Sequence, residues 1–149
     1  MVIFTVSSFF SNNKNWGFKK YQRVVDELAK DITIVRVNPG GEYKEPGLKN
    51  AINIYCPDIR KQIALWKRAK FGLTFDGLMV HVLSGYKIPV VNIMGGLLTS
   101  YIISYPGNIN LEYRHPASPC GATFDCPHCK DANQAITVEQ VYQACQKLL

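Results

Sequence analysis

Three observations along the 149 residues predict an α/β fold, a Rossmann-like doubly wound and mainly parallel sheet of five or six strands. Short β-branched runs recur at intervals. Stretches with apolar residues at helical spacing lie between them. Gly, Pro and polar clusters mark the junctions.

Val2–Val6 reads as the first strand, expected at the centre of the sheet. After a polar loop, Tyr21, Val24, Val25 and Leu28 recur at helical spacing, and that helix ends near Lys30. Ile32–Val37 is a second strand, broken by Pro39-Gly40-Gly41, and 42–50 is a polar loop. Ala51–Tyr55 is a short third strand, and Pro57-Asp58 opens a helix that carries Ile59, Ile63, Leu65 and Trp66. Phe71–Phe75 is a fourth strand, Gly77–Ser84 a short helix ended by Gly85, and Ile88–Met94 a fifth strand with Pro89 near its start. A short helix is expected over Leu97–Ile103 and a sixth, edge strand over Asn108–Glu112. The last helix spans 138–149, where Thr137 and Gln140 have capping-box spacing.

The composition, 47% hydrophobic and 19% charged, is that of a globular domain. One domain over 1–149 is expected. No apolar stretch approaches the ~18 residues of a membrane span, and the start lacks the basic segment of a signal peptide, so a cytoplasmic protein is expected. The net charge of +6 favours an anionic partner, but the basic residues are dispersed as on solvated helix faces, and nucleic acid is not the expected partner.

Ligands of such sheets bind beyond the carboxyl ends of the strands, near the switch in strand order. Those ends carry Ser7–Gly17, Asn38–Glu45, Asp76-Gly77 and Gly95-Gly96. No Gly-x-Gly-x-x-Gly follows the first strand and no Walker loop exists, so neither a nicotinamide cofactor nor a P-loop site is supported.

Three segments resemble the lipopolysaccharide heptosyltransferases. They are Lys14-Asn15-Trp16 before an amphipathic helix; Thr74–His81, with an Asp and a His five positions later; and Gly85–Gly95, with its Ile-Pro-Val-Val strand. Pro119-Cys120, and Cys129 before the final helix, resemble a Cys-containing segment of the same family. The resemblance covers nearly the whole chain in the family's order. It implies the donor-binding, C-terminal half of a B-type glycosyltransferase, with transfer that needs no metal. Such a half binds a nucleoside-diphosphate sugar, while a separate acceptor domain holds the acceptor and the usual base. By this resemblance Lys14, Glu42, Asp76, Gly77, Leu78, His81, Gly95 and Gly96 form the donor site, and Glu45 is the other acidic candidate beside Glu42. Gly77 and Leu78 stand where the family has a small hydroxyl residue and a Gly.

Each residue also has a plainer reading. Lys14 can neutralise a leaving diphosphate or be a solvated loop lysine. Trp16 suits packing under the first helix. Asp76 can bind a sugar hydroxyl or cap a helix, and the helix start at Gly77 favours phosphate. His81 suits packing as well as a ligand. Gly95 and Gly96 allow close backbone approach to a ligand or simply make a turn.

Five cysteines without a secretory signal argue against a disulfide framework. Cys56 and Cys145 read as buried thiols. Cys120, Cys126 and Cys129 have spacing suited to a structural zinc, with a fourth ligand from His128, His115, Cys56 or Cys145. Free thiols and a redox-active Cys-Pro-His-Cys pair are the alternatives. The segment 115–135 reads as a long loop that such a metal would fix. Two other functions stay open: a non-catalytic nucleotide or nucleotide-sugar binding module, and a small zinc-containing interaction domain.

Overall fold

In a computed structural model, residues 2–4, 12–38 and 46–149 are described, the first three in backbone only. Six parallel strands form one sheet in the order β3-β2-β1-β4-β5-β6. They are β1 (Val2–Phe4), β2 (Ile34–Asn38), β3 (Ile52–Tyr55), β4 (Phe71–Phe75), β5 (Val90–Met94) and β6 (Ile109–Glu112). The doubly wound fold is thus present, and β1 lies inside the sheet between β2 and β4. The strand order reverses between β1 and β4, so the crevice lies beyond their carboxyl ends.

The helices are α1 (Phe18–Leu28), α2 (Ile59–Trp66), α3 (Leu78–Gly85), α4 (Pro127–Ala135) and α5 (Val138–Gln146). Period-2 alternation in the strands sends side chains to two separate cores. On one face, Tyr21, Val24, Val25 and Leu28 of α1 and Val141, Ala144 and Cys145 of α5 cover Ile34, Phe71, Leu73, Val91 and Ile93. On the other, Trp66 of α2 and Met79, Val80 and Leu83 of α3 cover Val35, Val37 and Val90. α3 lies so close to β4 that a Cβ on Gly72 would collide with Leu83 Cδ1 and with Met79 Cε. This contact fixes the height of α3, and hence of its amino end, over the sheet.

Local chemistry sets the helix ends. Asp58 accepts from the backbone N–H groups of Arg60 and Lys61, and Thr137 and Gln140 form a complete capping box. Buried Arg36 donates to the Pro46 carbonyl at 2.6 Å, tying the segment before β3 to β2.

Two expectations are corrected. Residues 97–103 form no helix; bends lead into a single turn at Thr99–Ile102, where Glu112 accepts from the Ser100 N–H at 2.7 Å. That bond ties the turn to β6 rather than letting it propagate. The second half of the expected 115–135 loop is α4, with Cys126 as N-cap and Pro127 in its first turn. Proline is pre-set for that position and loses nothing there, because the first N–H groups of a helix have no intrahelical acceptor.

Candidate functional site

The chain leaves β1 through residues outside the described set and enters a 3-10 turn, Asn12–Lys14, at the carboxyl edge of the sheet. The next residues fasten this turn. Trp16 is buried, lies edge-to-face on Tyr21 at 4.9 Å and donates from Nε1 to the Ile136 carbonyl at 2.8 Å. Lys20 donates to the carbonyls of Asn133, Gln134 and Ile136, satisfying the exposed end of α4. Burial lowers the Lys20 pKa.

From this turn Lys14 reaches across the switch point. Its Nζ donates to the Asp76 carbonyl at 2.9 Å and lies 3.4 Å from Asp76 Oδ1. Asp76 ends β4 and is 2% exposed. Its Oδ1 has no hydrogen-bond partner among the described residues. Burial raises the Asp76 pKa to about 6, against the opposing pull of Lys14. Asp76 does not cap α3; Gly77 is the N-cap residue, and no side chain among the described residues bonds the helix start. The amino end of α3 therefore stands beside the Lys14–Asp76 pair without a side-chain cap; the Val80 N–H donates to the Gly77 carbonyl at 3.0 Å, and the positive end of the helix dipole is suited to an anion.

Gly95 lies on the same edge. A Cβ there would meet Asn133 Nδ2 at 2.7 Å and the Asn13 carbonyl oxygen at 2.8 Å. Gly96 is crowded to a lesser degree, with Ser118 Oγ at 3.1 Å and Cys129 Cα at 3.2 Å. Both glycines thus admit protein at close range: Gly95 admits Asn133 of α4 and the turn that carries Lys14, and Gly96 admits Cys129 of α4. Leu78 is 56% exposed at the start of α3. His81 is exposed one turn further along and bonds Tyr105 Oη through Nδ1 at 2.6 Å, away from Lys14's partners. Glu42 and Glu45 lie outside the described residues. A cavity of about 550 Å³, lined by Asn12, Asn13, Trp16, Asp125, Lys130 and Asn133 among others, borders the turn; neither Lys14 nor Asp76 lines it.

The second cluster adjoins the first. The sulfur atoms of Cys120, Cys126 and Cys129 all lie within 4.8 Å of one another, and Cys120 and Cys129 are 3.0 Å apart without a disulfide. Thiolates sharing a tetrahedral ion at about 2.3 Å are separated by about 3.8 Å, which these distances bracket, so the three sulfurs fit one metal. The Cys129 backbone N–H lowers the Cys126 pKa to about 7, whereas burial raises that of Cys129. Cys126 therefore ionises more readily than Cys129. Two of the suggested fourth ligands lie elsewhere: Cys145 is in the α1/α5 core, where burial raises its pKa to about 12, and Cys56 is in the core on the other face. His128 Nδ1 is 3.8 Å from Cys126 Sγ, and its ring stacks on His115 at 4.8 Å.

Sequence reasoning missed the residue that joins the clusters. Asn13, 3% exposed, donates to the carbonyls of Ala122 (3.0 Å) and Phe124 (2.8 Å) and accepts from the Cys126 N–H (2.8 Å). The signal was the carboxamide run Asn12-Asn13 directly before Lys14, which reads as ordinary loop composition.

No protein-family model and no curated protein sequence matches the chain. Solved structures match its fold throughout. The iron-containing dodecameric glycosyltransferase TibC from enterotoxigenic E. coli H10407 superposes with a TM-score of 0.79 at 19% identity, over 99% of this chain and 44% of that one. The E. coli heptosyltransferase WaaC, solved with ADP-2-deoxy-2-fluoro heptose, superposes at 0.73 and 14% identity, over 99% of this chain and 43% of that one. WaaC with ADP gives 0.75 at 13% identity. The chain thus has the fold of part of these glycosyltransferases and spans less than half of their length. No helix among the described residues is long and apolar enough to cross a membrane.

Proposed function

We propose that this chain is the donor-binding half of a heptosyltransferase-like glycosyltransferase and takes a nucleoside-diphosphate sugar at the carboxyl edge of its sheet. The observation that carries the reading is Lys14 held against Asp76 at the β1/β4 switch point, beside the uncapped start of α3. Support also comes from TibC, solved in complex with ADP-D-β-D-heptose, which shares the fold at a TM-score of 0.78.

In this reading the diphosphate lies across Lys14 and the N–H groups at the start of α3. Transfer breaks the bond between the anomeric carbon and the phosphate oxygen, and the electron pair leaves with the nucleoside diphosphate. The Lys14 ammonium stabilises that charge as it develops. The acceptor hydroxyl forms the new bond to the anomeric carbon, and its proton passes to a base on a separate acceptor domain. Asp76 holds Lys14 in place through its backbone carbonyl, and its carboxyl group bonds a sugar hydroxyl. Gly77 and Leu78 border the phosphate, and Gly95 and Gly96 shape the cleft wall; His81 and Glu42 belong to the donor site by the family resemblance alone.

Cys120, Cys126 and Cys129 hold one thiolate-bound metal, zinc or iron, which fastens the loop before α4. With three sulfurs committed to the loop, the ion supplies rigidity and no step of the transfer.

Ligand-observed NMR against ADP-, UDP- and GDP-sugars and the free diphosphates tests the reading. Binding between tens of micromolar and millimolar is expected for a half-site, roughly −4 to −6 kcal/mol. A folded protein that binds none of them refutes it.

A further inference from the structure

We propose that Asn13 is a positioning residue that couples the thiol cluster to Lys14, so that affinity for a diphosphate depends on the integrity of the cysteine-bearing loop. The inference rests on the donor-site reading above and adds a means of regulating it.

Four hydrogen bonds make the link. Three are made by the Asn13 side chain, which donates to the Ala122 and Phe124 carbonyls and accepts from the Cys126 N–H, and they spread across the loop between the first and second cysteines. The fourth reaches its carbonyl oxygen from Asn133 Nδ2 at 2.7 Å, and the same amide group donates to the Cys129 carbonyl at 3.0 Å. Asn133, 3% exposed, thereby clamps Asn13 to the turn of α4 that bears the third cysteine. On the sheet side, Cys120 N–H donates to the Gly96 carbonyl at 3.0 Å, and Gly95 has no side chain to separate Asn13 from β5.

Asn13 and Lys14 are consecutive in one 3-10 turn. The turn cannot shift at Asn13 without displacing the Lys14 backbone. Lys14 spans to Asp76 with a hydrogen bond of 2.9 Å, and a displacement near 1 Å would break it. Loosening the three sulfurs frees residues 120–126, withdraws Ala122, Phe124 and Cys126 from the Asn13 side chain and releases Lys14.

The test is a cycle of variants: wild type, Asn13→Ala, Cys120→Ser and the double variant, each titrated calorimetrically with ADP and with adenosine. Each single change should weaken ADP about tenfold and adenosine less than twofold. The double variant should be no weaker than the weaker single one, because both changes cut the same link. Unchanged ADP affinity in Asn13→Ala, equal losses for ADP and adenosine, or full additivity overturns the proposal. Asn13→Asp keeps the acceptor for Cys126 and loses both donors, and should give the same selective loss if the alanine variant does not fold. Wild type that binds neither ligand refutes the donor reading alone. The coupling is then decided by carboxyl NMR of Asp76, whose pKa should rise in Asn13→Ala and Asn13→Asp as Lys14 is released; an unmoved titration overturns the coupling.

Discussion

Replacing Asp76 with asparagine should stabilise the protein above pH 6 and leave it nearly unchanged near pH 4. The carboxyl is 2% exposed, and burial raises its pKa from 3.8 to about 6 despite the nearby ammonium. Between those values the native state holds a proton that the unfolded chain has released. Stability therefore falls as pH rises through that window, then levels off above it. The difference between 3.8 and about 6 corresponds to about 3 kcal/mol. A carboxamide cannot ionise, so the variant should escape this loss, with some of the gain offset by a Lys14 that has lost its counter-charge. For a chain of this size about 3 kcal/mol is a shift of roughly 6–12 °C in Tm. Urea unfolding of both proteins at pH 4 and pH 7.5 gives the double difference, in which other titrating groups cancel. A gap between wild type and variant that does not change with pH, or one that widens toward pH 4, refutes the assignment of a raised pKa to Asp76.

Other changes probe separate parts of the account. Lys14→Met should weaken ADP binding tenfold or more, as expected for losing a charge-assisted hydrogen bond, and leave adenosine nearly unaffected; calorimetry reads both. An ADP-sugar, whose phosphates do not titrate near neutral pH, should bind more tightly at pH 5.5 than at pH 7.5 as protonation removes the Asp76 charge, and Asp76→Asn should flatten that profile. Gly72→Ala should cost about 1–3 kcal/mol in urea unfolding, since its Cβ would collide with Leu83 and Met79. Protein purified without added metal should carry about one zinc or iron by elemental analysis, and Cys126→Ser should lose it.

The fold was largely legible because the strands are short runs rich in β-branched or aromatic residues and α1, α2, α3 and α5 carry apolar residues at helical spacing. β4 matches its expected span over Phe71–Phe75, and the Thr137–Gln140 box marks the start of α5. The two departures share a cause. At 97–103 the apolar residues suggested a helix, but the Ser100–Glu112 bond, invisible in local sequence, holds a single turn. In α4 the polar sequence hid the helix, whose buried face is only Cys129, Ala132 and Asn133 and whose ends are held by contacts with Asn13 and Lys20. The site was legible where a residue follows a strand directly, as Asp76 does. Long-range partners were not: the side-chain bonds of Asn13 span 109 to 113 positions, and Tyr105, the partner of His81, lies 24 positions away.

The most direct test of the central claim is amide chemical-shift mapping of the isotope-labelled protein as an ADP-sugar is added. The account predicts that shifts move with the added ligand at Lys14, Asp76, Gly77 and Leu78, along the carboxyl ends of β1 and β4. Perturbations confined to the opposite edge of the sheet, or none at millimolar ligand in a folded protein, would contradict it.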